Sequence, residues 1–315
     1  MYFPLLRAKR NELLALRESI GITVNNKIII PIIEAVNSTT GDLFRCLNEL
    51  KDKKSNPVII VNPQVGFFSK NQRKLNILID EIIEINPKVC LAYWLTEGTT
   101  LDQLDSFFKK FPEQNLAIIH AASSKDVEGL LTLLEESENF KWNFFANEKT
   151  GRKYRSHFSE YNNVLLEDSF NKLDRNADYE EEEEFFSDSV YIYQDEGYVG
   201  VGDYTILGTK YSENGGPAIT AAIHLTYEEE EDEIWIKHFL SEPREKVEED
   251  GPTLVSEALP KLVEFIEENE AALAFSNACR EFKEIHESGE RTSLGKIKKI
   301  SIKHHIELMN HIISR

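Results

Sequence analysis

The strongest constraint in this sequence is a rhythm. Short apolar runs bounded by turn residues alternate with longer segments of helical period: YFPLL leads into KRNELLALRESI, KIIIPIIEA into GDLFRCLNELKDKK, PVIIVNP into NQRKLNILIDEIIEI, KVCLAYWL into TLDQLDSFFKKF, and LAIIHAA into KDVEGLLTLLEES. The runs are near-continuous Ile, Val and Leu, as in parallel strands covered on both faces. Five strand-then-helix units in succession predict an α/β fold. Past Glu138 the rhythm loosens, and WNFFAN, NVLLEDSF, GYVGVGDYTIL and AITAAIHLTY read as further strands. The total of about eight or nine is enough to close a (β/α)8, TIM-like barrel. An open doubly wound sheet has the same local pattern and is the alternative.

Composition narrows what such a fold can do. The 315 residues, 41% of them hydrophobic, can bury a large core, and the net charge of −19 repels polyphosphate backbones unless positive charge is concentrated in one place. Cys46, Cys90 and Cys279 are scattered without C-x-x-C spacing, so neither a disulfide framework nor a zinc ribbon is expected. The opening MYFPLLRAKR carries charge early and has no long apolar core, which reads as neither signal peptide nor membrane anchor. A soluble cytoplasmic protein is the expectation.

Residues 1–250 are expected to form the barrel and residues 251–315 a helical appendage packed on it. Two acidic runs, DYEEEEEFF and YEEEEEDE, read as solvated loops, the second at a hairpin tip between AIHLTY and IWIKHF. The last segment, KIKKISIKHHIELMNHIIS, reverses the charge of the chain on an amphipathic helix. Such a helix either packs back on the acidic body or offers Lys298, Lys299 and Lys303 to a partner or nucleic acid, a contact that salt would weaken.

In a parallel barrel the chemistry is built where the strands end, because the βα loops converge there. The polar residues ending the runs are Arg7 and Lys9, Glu34, Asn62, Thr96 and Glu97, His120, Glu167 and Asp168, Asp203 and His224. Glu34, His120, Asp168, Asp203 and His224 are the candidate catalytic set, of the kind that holds a hard divalent cation or works as an acid/base pair. No spacing among them names a metal or a reaction. The glycines of EGYVGVGDYTILG follow G-x-x-G-x-G with no helix after them, which argues against a dinucleotide fingerprint and for a late barrel strand that delivers Asp203 to the rim.

Several motifs together carry a resemblance: the opening MYFPLLRAKRNELLALRE, IPIIEAV, NKLDRNADY at Asn171 to Tyr179, GYVGVGDYTILG, and GGPAITAAIHLTY with IWIKHF. In this order they resemble a family of poorly characterised bacterial proteins that is similar to the phage-encoded "beta protein" group, over most of the chain. The resemblance implies a barrel-like α/β fold and a setting in phage-related loci, commonly beside a gene for a small nuclease-like partner. It implies no established activity and brings no catalytic residues. The leading functional expectation is one half of a bacterial antiphage module acting with that protein partner. The alternatives are a stand-alone metal-dependent phosphodiester hydrolase or nuclease, and a non-catalytic ligand-sensing barrel.

Overall fold

A computed structural model describes the chain except for Lys27, residues 180–182 and 214–217, Glu231, Glu245 and residues 247–248, and the side chains of residues 22–26. Strands β1 (Tyr2–Leu6), β2 (Ile32–Ile33), β3 (Val58–Ile60), β4 (Cys90–Leu95), β5 (Asn115–His120), β6 (Phe140–Ala146) and β7 (Asn163–Glu167) come first. β8 (Glu183–Ser187), β9 (Gly200–Asp203), β10 (Ala222–Glu229) and β11 (Glu233–Leu240) follow. The first seven and β9 form a closed barrel in which every neighbouring pair is parallel, β9 lying between β7 and β1. Eight of the nine apolar runs thus became barrel strands, and the open-sheet alternative is removed.

Helices α1 (Arg10–Asn26), α2 (Gly41–Asp52), α3 (Gln72–Ile85), α4 (Leu101–Lys110) and α5 (Val127–Glu135) cross between successive strands, and the one-turn α6 (Arg152–Arg155) and α7 (Ser189–Ile192) continue the series. They bury a continuous apolar layer against the outside of the barrel, with Leu13, Leu47, Ile79, Phe107 and Leu130 among its members. The inside is packed as well, by Phe3, Leu5, Ile32, Val58, Ile60, Ala92, Ile119, Phe144 and Leu166. This is a filled core and not a pore. Gly200 and Gly202 make room in it: a Cβ on Gly200 would meet the Phe3 ring at 2.7 Å, and one on Gly202 the Phe3 carbonyl oxygen at 2.5 Å.

The ninth run, AITAAIHLTY, is not a barrel strand. It forms β10, which pairs antiparallel with β11, and β11 pairs antiparallel with β8. One face of this small sheet, carrying Ile223, Leu225 and Tyr227, packs under α8 (Gly251–Glu268) and α10 (Asn277–Ser288) in a second core, with the single turn α9 (Glu270–Leu273) between those helices. The hairpin expected around the second acidic run is present, although Glu231 and, in the first run, residues 180–182 lie outside the described residues. The runs are not simply solvated loops: Glu183 pairs with Lys237 at 2.6 Å, Glu184 with His238 at 3.0 Å, and Glu228 with Arg315.

The expected boundary at residue 250 does not separate two cores. The last helix, α11 (Leu294–Ile313), packs along α1 and against β1 and β10. Its first half places Ile297 and Ile300 in the second core, and its second half places Ile302, Ile306, Leu308, Met309 and Ile312 in the barrel layer. It therefore takes the place of the eighth barrel helix, with β10, β11 and α8 to α10 inserted between it and β9. Lys299 is buried on this helix, donating to Glu18 at 2.7 Å and Glu281 at 2.9 Å, and Lys303 donates to Glu281 at 3.2 Å. Two of the three lysines expected to face a partner are therefore spent on internal ion pairs.

Candidate functional site at the barrel mouth

Side-chain parity decides which strand-end residues share the mouth, since successive residues of a strand point to opposite faces. Phe3 and Leu5 point into the barrel, and Arg7 continues their side; Ile32 leads to Glu34, Ile60 to Asn62, Ala92 to Trp94, Leu166 to Asp168 and Gly202 to Tyr204. These residues form the mouth. His120 and Asp203 each follow an inward residue and so face the helix layer. Of the five expected site residues, four stand at the same end of the barrel, but only Glu34 and Asp168 are on its inner rim.

Glu34 is the centre of the mouth. It is 3% exposed and accepts the Gln64 backbone N–H at 2.8 Å, while its other oxygen lies 3.8 Å from Arg7 Nε. Burial raises its pKa, against the opposing pull of the Gln64 N–H and the Arg7 charge. The Arg7 guanidinium donates to the carbonyl oxygens of Gly208 at 3.1 Å and of Thr209, and packs over the rings of Tyr204 and Tyr211. Asp168 accepts the Thr209 N–H at 3.0 Å and the Thr209 hydroxyl. Together these bonds draw the segment after β9 across the mouth.

Two buried donors in this mouth, Arg7 Nε and Trp94 Nε1, have no hydrogen-bond partner among the described residues. Both lie close enough to Glu34 to favour its ionised form. A buried donor left unpaired costs about 1–3 kcal/mol, and here the carboxylate that both donors face, Glu34, offsets part of that cost. Among the described residues no group of three or more His, Cys, Asp or Glu side chains is gathered as metal ligands, and the cation expected on the rim has no such set to hold it.

Asp203 has a structural task. Its Oδ1 accepts from Tyr2 OH at 2.7 Å and from Thr205 N at 2.8 Å, and its Oδ2 from His305 Nε2 at 3.0 Å. His305 Nδ1 in turn takes the Thr226 hydroxyl at 3.0 Å. Thr205 has a φ of +51°, strained for a β-branched residue, and the Asp203 bond holds that turn so that Tyr204 swings into the mouth. Burial raises the pKa of Tyr2 well above its ordinary value, and the Asp203 charge beside it adds to the shift, so the Tyr2 hydroxyl stays protonated and donates.

His120 is likewise occupied. It bonds Tyr154 OH at 2.8 Å and Asn143 Oδ1 at 2.9 Å and stacks on Phe145, and burial draws its pKa down to about 4. His224 is away from the mouth, on β10, with its Nδ1 2.8 Å from Nδ1 of His238. Arg7, Trp94 and Tyr204 were the residues missed as site members. Counting parity from Phe3, Ala92 and Gly202 is the signal that finds them.

No protein-family model matches this chain, and no curated protein matches it. Among solved structures, the N-acetylneuraminate lyase from Mycoplasma synoviae is similar over 65% of this chain and 68% of its own, at 8% identity and a TM-score of 0.38. A likeness of that size carries no argument about function. Among the described residues no helix is long and apolar enough to cross a membrane.

Proposed function

We propose that the chain is the recognition half of a two-protein phage-defence module, with the nucleic-acid chemistry carried by a nuclease-like partner. The observation that carries this reading is the split of the rim. Asp203 and His120 are turned into the helix layer and fully engaged there, whereas Arg7, Glu34, Asp168 and Tyr204 form a mouth of mixed charge in which the Arg7 Nε and Trp94 Nε1 donors face Glu34 without a close hydrogen bond among the described residues. The sequence motifs that resemble the phage-linked family supply three of these four mouth residues: Arg7 comes from the opening motif, Glu34 from IPIIEAV and Tyr204 from GYVGVGDYTILG.

The test is co-expression with the product of the adjacent gene, followed by affinity purification and phage plating. Co-purification, protection only when both proteins are present, and loss of protection in a folded Arg7→Ala variant are the expected results. Protection by this chain alone, or divalent-cation-dependent cleavage of DNA by the purified chain, would overturn the proposal.

A further inference from the structure

Beside the mouth, a cavity of about 220 Å³ lies between the loop after β7, the loop after β9, β10 and α11. Its polar lining is Lys172, Asp174, Asn176, His224, Lys298 and Ser301. Lys298 is open to solvent at the lip and has no hydrogen bond or ion pair among the described residues. Protein nevertheless crowds its ammonium, and that lost hydration lowers its pKa, with Glu12 opposing and Lys9 and Arg7 adding to the effect. Lys172, half-buried, is drawn down to about 8 by the same loss of hydration and then by Lys298, Arg7 and Lys9. Four cations thus share one corner of a chain whose net charge is −19. Asp174 is answered by Lys210, 3.4 Å away, and does not cancel them.

Two further groups give the cavity its chemistry. Ser301 is 2% exposed, lines the cavity, and its hydroxyl has no partner among the described residues. His224 is held between Phe170 and Tyr179 in edge-on contacts. His238 Nε2 donates to Glu184 at 3.0 Å, which leaves His238 Nδ1 to accept from His224 Nδ1 at 2.8 Å. Burial holds His224 in its neutral form, and that chain of donors puts its one proton on Nδ1, which leaves the Nε2 lone pair to accept a hydroxyl proton.

We infer that this cavity binds a small phosphate monoester, with Lys298, Lys172 and Ser301 on the phosphate and His224 Nε2 accepting from a hydroxyl of its organic part. The loops after the seventh and eighth strands are where barrels of this topology commonly hold a phosphate, which as an analogy of fold agrees with the charges found here. The cavity is smaller than the roughly 300 Å³ of drug-sized sites, so the ligand is compact. The strongly negative body of the protein disfavours a polyanion. The inference does not rest on the proposed role in phage defence.

The test is isothermal titration of the full chain with ribose 5-phosphate, inorganic phosphate, ribose and a short single-stranded DNA. Ribose 5-phosphate should bind more tightly than inorganic phosphate, and ribose should give no heat. Lys298→Ala should weaken binding about tenfold or more, equivalent to 1.4 kcal/mol, and Lys298→Arg should restore it. Because Lys298 is at the lip, an unchanged melting temperature certifies that both variants fold. An affinity unchanged in Lys298→Ala, binding of ribose as tight as its phosphate, silence of every probe up to about 10 mM, or tighter binding of the DNA would each overturn the assignment.

Discussion

His305 on the last helix donates a hydrogen bond to Asp203 at the end of the eighth barrel strand, 3.0 Å away and 102 residues earlier in the chain. Both groups are buried, and the aspartate also holds Tyr2 and the strained Thr205 turn. Removing one member of such a buried set leaves the others uncompensated, so Asp203→Ala should cost roughly 3–5 kcal/mol in chemical denaturation. A role in chemistry alone would leave stability nearly unchanged, and that result would restore Asp203 to the active rim.

The lysines of α11 separate cleanly. Lys299→Glu places a third carboxylate against Glu18 and Glu281 and should lower stability by roughly 1–3 kcal/mol, between the exposed and the buried limits for ion pairs. Lys298→Glu should leave the melting temperature within a degree or so, since surface changes of this kind are usually neutral. Equal effects from the two variants would contradict the packing of the helix.

Gly202 allows no side chain. In Gly202→Ala the new Cβ would stand 2.5 Å from the Phe3 carbonyl oxygen, a backbone atom that cannot step aside. Overpacking of this kind costs about 1–3 kcal/mol, whereas Gly151→Ala, with open space around its Cβ, should be close to neutral in the same denaturation series.

Acid should destabilise the protein in a defined window. The unfolded chain protonates His120 below about 6.5, but the buried native imidazole does so only near 4. The stabilisation is therefore complete above pH 6.5 and is lost as pH falls from 6.5 to 4, by about 3 kcal/mol at 1.36 kcal/mol per unit. His224 and His238 are shifted the same way by burial and add to the slope. Denaturation midpoints of His120→Gln should fall less steeply across that window than those of the parent; parallel curves would rule the histidine out as the source.

The mouth is held closed by Arg7. Arg7→Ala removes the donors that reach the carbonyls of Gly208 and Thr209 and should expose the segment after β9 to limited proteolysis, with cleavage mapped by mass spectrometry. Cleavage elsewhere first, or no change in rate, would mean that the Asp168 to Thr209 bonds hold the segment alone.

The opening βα units were legible because barrel strands are buried on both faces and show no alternation. The same signal misled at AITAAIHLTY, since β10 is also covered twice, by α8 and α10 on the face of Ile223 and Leu225 and by α11 on the face of Thr226. Choosing Asp203 and His120 by their position at strand ends overlooked parity, which the neighbouring Gly202 and Ile119 fix. The eighth helix was read as an appendage because the whole of β10, β11 and α8 to α10 separates it from its strand. Glu34 and Asp168 were found because their strands are short and their polar ends lie an even number of residues beyond an inward Ile32 and Leu166.

That separation has a consequence for biosynthesis. Asp203 leaves the ribosome roughly a hundred residues before the end of α11, which at about 5–20 residues per second is a wait of several seconds to about twenty. Throughout it, the outer face of β1 and β9, with Tyr2 and the Asp203 carboxylate, has no helix to cover it. Until α11 is made, the nascent chain therefore exposes apolar surface that the finished fold buries. Closure of the barrel's outer layer is thereby tied to synthesis of the chain through α11.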